Sequence, residues 1–317
     1  MTYYALTEID SAIQRTRDLL WPFRKGVWLR LAVIALFVGF GGWFPQPTWS
    51  SDTEIFGDLA GFSAPTLPEE MLVILALILM VGLLGLLFWL IQSIIQFVFI
   101  DCIATKEISL TRTFGLRAGK GIRLLLFQAG LAILLLLLLG LLSLPILYAA
   151  GILSGPSIGF PIALLLLFMI PFFLLFVLFA ALIQLITIDF VAPLMIRRDC
   201  GVLEGWRTFI RIQEGQWMQL IVYVLVRVLA ALGTGIVILL LSLLVLAVIA
   251  LPFIAIGLIG MMLLAAGNIV LLLLLAIPYL IIAIPAVLMV SVPFVTFFRT
   301  YSLQVLGRLS PDDALLT

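Results

Sequence analysis

Residues 217–250 read WMQLIVYVLVRVLAALGTGIVILLLSLLVLAVIA, with a single charge, Arg227, in the whole run. A hydrocarbon core about 30 Å thick is crossed by roughly 20 apolar residues rising 1.5 Å each. A surface helix of a soluble domain keeps a polar face; this one has none. The segment reads as a membrane-crossing helix.

The rest of the chain repeats the pattern. Further apolar stretches fall near 27–44, 71–100, 123–148, 161–188 and 268–298. Several exceed the minimum length, which predicts tilt or extension into the headgroups. Pro161, Pro171, Pro193, Pro252, Pro278, Pro285 and Pro293 mark expected kinks or ends. Over 317 residues the composition is 65% hydrophobic and 10% charged, and the mean hydropathy is +1.35. Soluble domains carry about 25% charged residues, so the bilayer must act as solvent. The fold class expected is all-α integral membrane, one domain over 1–317 with six transmembrane helices.

Charge sets the orientation. Arg15, Arg17, Arg24, Lys25 and Arg30 precede the first span, and no small-x-small cleavage site follows it. Lys106, Arg112, Arg117, Lys120 and Arg123 fall between spans two and three. Arg197, Arg198, Arg207 and Arg211 fall between spans four and five, and Arg299 and Arg308 follow span six. Thus 16 of the 17 cations lie on one side, which the positive-inside rule makes cytoplasmic. Both termini are then cytoplasmic in a multi-pass cell-membrane protein. Reading 217–298 as two spans rather than three follows from Arg299 and Arg308. The opposite loops lack Lys and Arg; the first, 45–70, carries Asp52, Glu54, Asp58, Glu69 and Glu70. It reads as a solvated outer loop.

Three copies of one unit are discernible, near 6–105, 107–196 and 200–298. Gly26-Val27-Trp28-Leu29-Arg30-Leu31 resembles Gly215-Gln216-Trp217-Met218-Gln219-Leu220, with a weaker copy at Gly121-Ile122-Arg123-Leu124. These glycines are spaced by 95 and 94 residues. Ile95-Gln96 with Ile100-Asp101 recurs as Ile183-Gln184 with Ile188-Asp189, and Arg112-Thr113-Phe114 recurs as Arg207-Thr208-Phe209. Each unit reads as a cytoplasmic amphipathic helix followed by a transmembrane hairpin, giving parallel repeats about the membrane normal. In the first helix Leu6, Ile9, Ile13, Thr16 and Leu20 form the expected apolar stripe, with Thr7 as cap. In the third unit the expected stripe is Val202, Trp206, Phe209 and Ile210. Helices of this kind lie in the inner headgroup layer.

Polar residues at membrane depth form the candidate site. Arg227, Asp189, Asp101, Gln96 and Gln184 approach the cytoplasmic boundary from different spans and define a candidate intramembrane polar network. A charge in the bilayer costs a few kcal/mol, so Arg227 is expected to pair with a carboxylate, Asp189 ahead of Asp101. Gln128 and Asn268 look isolated. No nucleophile–base pair, metal cluster or phosphate loop is evident, and no enzymatic activity or cofactor is expected. With no histidine and two cysteines, Cys102 and Cys200, a zinc or haem site and a disulfide are not expected. A net charge of +1 gives no case for nucleic acid.

Phe190-Val191-Ala192-Pro193, Leu203-Glu204-Gly205-Trp206-Arg207-Thr208 and Gly215-Gln216-Trp217 together resemble the membrane domain attached to some glycerophosphodiester phosphodiesterases. That family closes a span with proline, continues into an E-A-L-x-x-S-like helix and opens the next span with glycine. Glu204 matches its acid, while Gly205, Trp206 and Thr208 replace alanine, leucine and serine. Trp21-Pro22-Phe23-Arg24-Lys25-Gly26 through Leu31 is similar to uncharacterised archaeal membrane proteins of like length. The resemblance implies a fold and a membrane setting; the phosphodiesterase catalytic domain has no counterpart here. The expected role is organising or handling lipids or membrane partners, the expected partners being membrane lipids with a protein partner or a second copy of the chain. A small-solute or ion transporter or channel is the alternative.

Overall fold

A computed structural model describes residues 3–40, 68–105, 110–152, 159–263 and 269–316. Where water is absent, backbone N–H and C=O groups must pair within their own segment, and helix is the open-chain solution. The described residues accordingly form helices and short connections, with no strand among them. In chain order these are α1 (Tyr4–Leu20), α2 (Lys25–Phe40), α3 (Pro68–Thr105), α4 (Leu110–Ile152) and α5 (Gly159–Ile186). A π-helical turn, Thr187–Val191, leads into α6 (Ala192–Arg197), followed by α7 (Val202–Gln213), α8 (Trp217–Leu263) and α9 (Ile269–Leu309). A 3₁₀ turn, Pro311–Asp313, follows α9.

Five helices are long and apolar enough to cross a membrane, over Leu75–Thr105, Thr113–Leu142, Ile170–Arg197, Trp217–Gly260 and Leu274–Leu309. The region 217–298 therefore holds two long helices. The remaining predicted span, 27–44, coincides with the 16-residue α2 and continues past Phe40 into residues outside the described set. So do positions 45–67 of the acidic loop, and Asn268.

The helix breaks have local causes. Pro22 has no N–H to continue α1. Gly215, at φ +82°, takes the left-handed position that ends α7. Gly121, its counterpart in the expected repeat, meets neither condition and sits inside the continuous α4. It serves packing instead: a Cβ there would meet the side chain of Ile94 and its Cα at 2.8 Å. Several expected kink sites, Pro171, Pro252, Pro278, Pro285 and Pro293, lie inside helices that run on through them.

Burial is concentrated at one end. α3 is exposed from Leu75 to Leu87 and buried from Ser93 to Ile100, while α5 is exposed around Ile170–Leu175 and buried at Ile186 and Thr187. α9 follows suit, exposed at Leu274 and Ile284 but buried at Thr296 and from Arg299 to Ser302. It packs there against α1, α2, α8, α3 and the π turn. Between that packed end and their far ends the described helices carry only apolar and small polar side chains, the surface that lipid tails tolerate.

The two short helices turn inward faces that match the expected stripes only in part, at Thr16 and Leu20 of α1 and at Val202 and Phe209 of α7. In α1 the buried residues are Ala5, Glu8, Ala12, Thr16 and Leu20. Leu6 and Ile13 of the expected stripe are 54% and 52% exposed. Alanines let α1 approach α9 closely, and the larger side chains are displaced to the flank. Thr7 is not the cap: its hydroxyl donates to the Tyr4 carbonyl, and the Tyr4 N–H donates to Gln219 Oε1 at 3.1 Å. In α7 the buried set is Val202, Gly205, Thr208, Phe209 and Gln213, while Ile210 is exposed. Gly205 sets that face, since a Cβ there would lie 2.9 Å from Val191 Cγ1.

Candidate functional site

The site grows from a peculiarity of backbone hydrogen bonding. In the π turn the Ala192 N–H donates to the Thr187 carbonyl, five residues back. The next residue in line to serve Ile188 is Pro193, which has no N–H. The Ile188 carbonyl is thereby freed from the helix, and Arg299 of α9 donates to it from Nη1 at 2.8 Å. A single π turn of this kind is common at functional sites.

The same turn directs Asp189 inward, where it is 4% exposed. Its Oδ2 accepts from the Tyr223 hydroxyl at 2.8 Å and from Arg227 Nε at 3.3 Å. Tyr223 and Arg227 are four residues apart on α8, one above the other on a single face. The Arg227 guanidinium lies 3.8 Å from the centroid of the Phe298 ring, within the range of a cation–π contact. Arg299 has the Phe99 ring at 5.8 Å. Tyr223 stacks on Tyr301 at 5.5 Å and meets Phe190 edge-on at 4.7 Å. Tyr301 in turn donates to the Ala5 carbonyl at 2.8 Å, joining the N-terminal helix to the cluster.

Among the described residues, charge does not balance here. Two guanidiniums, Arg227 and Arg299, face one carboxylate, Asp189. Aromatic faces supply a quadrupole but no net charge, so one positive charge is left over in a place of low dielectric.

The other ion pairs form a rim at the packed end. Arg117 grips Asp101 through Nε at 2.6 Å and Nη2 at 3.1 Å. Lys120 reaches Asp199 at 2.6 Å and the Met195 carbonyl at 2.8 Å. Arg308 meets Glu8 at 2.7 Å. Arg198 binds both oxygens of Asp313, at 2.7 and 2.8 Å, and with Ser310 holds that carboxyl below its ordinary range. Lys120 likewise lowers the Asp199 carboxyl, and burial raises the Cys200 thiol. Both cysteines are free.

Of the five residues expected in one network, the structure joins Asp189 and Arg227. Asp101 belongs to the rim with Arg117, not to the Arg227 pair. Gln96 is buried with its Oε1 unpartnered, and Gln184 is half-buried. Gln128 is not isolated: its Oε1 accepts from Trp89 Nε1 at 3.1 Å and from the Ser93 hydroxyl at 3.4 Å. The sequence reading missed Tyr223 and Arg299. Arg299 was counted among boundary cations, although it directly follows the apolar run ending Val295-Thr296-Phe297-Phe298. Tyr223, one helical turn before Arg227, was the available signal for the second. No group of three or more carboxylate or cysteine side chains suited to a metal ion occurs among the described residues.

An all-helical chain with five helices of membrane-spanning length and apolarity is a multi-pass membrane protein, here with an ion cluster buried at one end. Residues 3–316 match a family of unknown function, DUF7544, and the chain belongs to that family. No curated protein and no solved structure matches it.

Proposed function

We propose that this is a non-enzymatic six-span protein of the cell membrane that organises or handles lipids, with both termini cytoplasmic. The observation that carries the reading is the division of the molecule. Long apolar helix surfaces are open to the lipid, and the charged and hydrogen-bonding groups gather at one end. The cluster's position toward one end of the long helices supports a place near the headgroups rather than at midplane. A transport path would call for polar groups continuing through the other half of the helices.

The concentration of basic residues near this end supports a cytoplasmic orientation. The order of elements supports three parallel units: α1 with α2 and α3, α4 with α5, and α7 with α8 and α9. In the middle unit the short helix is continuous with its span. α1 and α7, packed beside the cluster, are the candidates for interfacial helices. The suggested kinship with the phosphodiesterase membrane domain and with archaeal proteins rests on residues 190–217 and 21–31 alone.

Reconstitution into phospholipid vesicles tests the function in two channels, the mobility of spin-labelled phospholipid and the release of entrapped ions. The expected result is a motionally restricted lipid population larger than that around an inert six-span control, with no ion release. Ion release with ordinary boundary lipid overturns the proposal in favour of transport.

A further inference from the structure

We infer that the excess positive charge of the Arg227–Arg299 cluster is the binding site for a phosphate-bearing anion, supplied by the headgroup of an anionic phospholipid. This deepens the lipid-handling reading and rests on it.

The argument starts from the charge balance. Asp189 accepts from Arg227, and it is the carboxylate that faces Arg299 among the described residues. One carboxylate compensates one guanidinium. The second, on a side chain 4% exposed, spends an Nη1 bond on the neutral Ile188 carbonyl. Removing an unpaired guanidinium from water is costly, and the cost is met when an anion is drawn to it. Other acids of the packed end are engaged elsewhere among the described residues: Asp101 with Arg117, Glu8 with Arg308 and Asp313 with Arg198.

Geometry selects the kind of anion. The Arg227 side chain keeps 18% exposure against 5% for Asp189, and Arg299 is 4% exposed, so the approach is past Arg227. Its guanidinium is held by Asp189 through Nε. A planar guanidinium suits the paired oxygens of a phosphate. The helix surfaces leading to the cluster, such as Val228 and Leu232 on α8 and Leu178 and Phe179 on α5, are exposed and apolar. A lipid with its phosphate at Arg227 would lay its chains along such surfaces. A free phosphate would gain nothing from them.

Native mass spectrometry of the intact chain in detergent is the test, titrating phosphatidylglycerol and phosphatidylcholine separately and then adding inorganic phosphate. Phosphatidylglycerol should be retained about fivefold or more over phosphatidylcholine, the scale expected for one basic group acting on an anionic lipid. Arg299→Gln removes the excess charge and should abolish the preference. Asp189→Asn raises the excess and should strengthen it, a direction that damage to the fold does not produce. Arg308→Gln, at the rim, should change neither. Retention of phosphatidylglycerol against millimolar inorganic phosphate identifies the lipid; displacement by it overturns the lipid assignment in favour of a soluble phosphate site. Equal retention of the two lipids, or the same direction of change in Arg299→Gln and Asp189→Asn, overturns the inference. Restricted lipid in the vesicle experiment without headgroup preference here would leave the broader reading standing and remove only this one.

Discussion

Arg299 and Ile188, 111 residues apart, meet through a guanidinium-to-carbonyl bond of 2.8 Å that repairs a break in backbone pairing. Ala192 bonds to Thr187 and Pro193 has nothing to give, so the half-buried Ile188 carbonyl would otherwise stand unpaired. Arg299→Met should expose that defect, at about 1–3 kcal/mol for the unsatisfied group, offset by the loss of a buried charge. Rescue separates the two effects. Adding Pro193→Ala supplies an N–H, and thermal unfolding in detergent should show the double variant more stable than Arg299→Met alone. No recovery would mean that the carbonyl contributes little.

Close helix approach at Gly121 gives the second prediction. Its Cβ position is occupied by Ile94 backbone and side chain, whereas nothing lies within 4 Å of the equivalent point at Gly26. Gly121→Ala should lower stability by about 1–3 kcal/mol, the usual range for overpacking. Gly26→Ala should be close to neutral. Equal melting temperatures for both variants would refute the contact between α3 and α4 at this point.

The C-terminal latch is pH-dependent. Arg198 and Ser310 depress the Asp313 carboxyl in the folded chain. The stabilisation is therefore full above the carboxyl's unfolded range and is lost as pH falls through the depressed folded value. Its size is on the order of 1 kcal/mol, because the Arg198 side chain is 43% exposed and screened. Wild type should melt above Asp313→Asn at neutral pH, and the gap should close in acid. A gap that persists below the carboxylate range would locate the latch energy elsewhere.

The proposed six crossings make a prediction about topology. In a cysteine-free background, labelling with an impermeant reagent should reach cysteines replacing Ser51 and Ser154 from outside. Those replacing Ser109 and Ser310 should react only from the cytoplasm. Outside labelling at Ser310 would contradict the six-span count and the positive-inside assignment.

Membrane class and the long helices were legible because apolar runs report directly on solvent. The pairing of Asp189 with Arg227 was legible because two charges at one depth have few other ways to lower their cost. The π turn was not. It depends on a one-residue shift in hydrogen bonding at Thr187–Ala192, which the hydrophobic pattern does not encode. Its effect is visible in the paired motifs: Ile188-Asp189 is followed by Pro193, while Ile100-Asp101 is followed at the same distance by Thr105. Asp101 lies on an uninterrupted helix and meets Arg117, whereas Asp189 lies on the shifted turn and meets Arg227. The buried faces of α1 and α7 were legible only in part, at Thr16, Leu20, Val202 and Phe209, because alanine and glycine count weakly as apolar yet permit the closest packing.

A double-mutant cycle on Asp189 and Arg227, read as thermal stability in detergent, tests the central claim that these residues act as one cluster with Arg299. Asp189→Asn leaves two guanidiniums without a carboxylate and should cost about 3–5 kcal/mol, as for a broken buried ion pair. Arg227→Met should cost less, because Asp189 still faces Arg299 and Tyr223. The combined variant should be more stable than Asp189→Asn alone, with a coupling energy of about 1–3 kcal/mol. Additive losses, or Arg227→Met the more damaging of the two, would contradict the account.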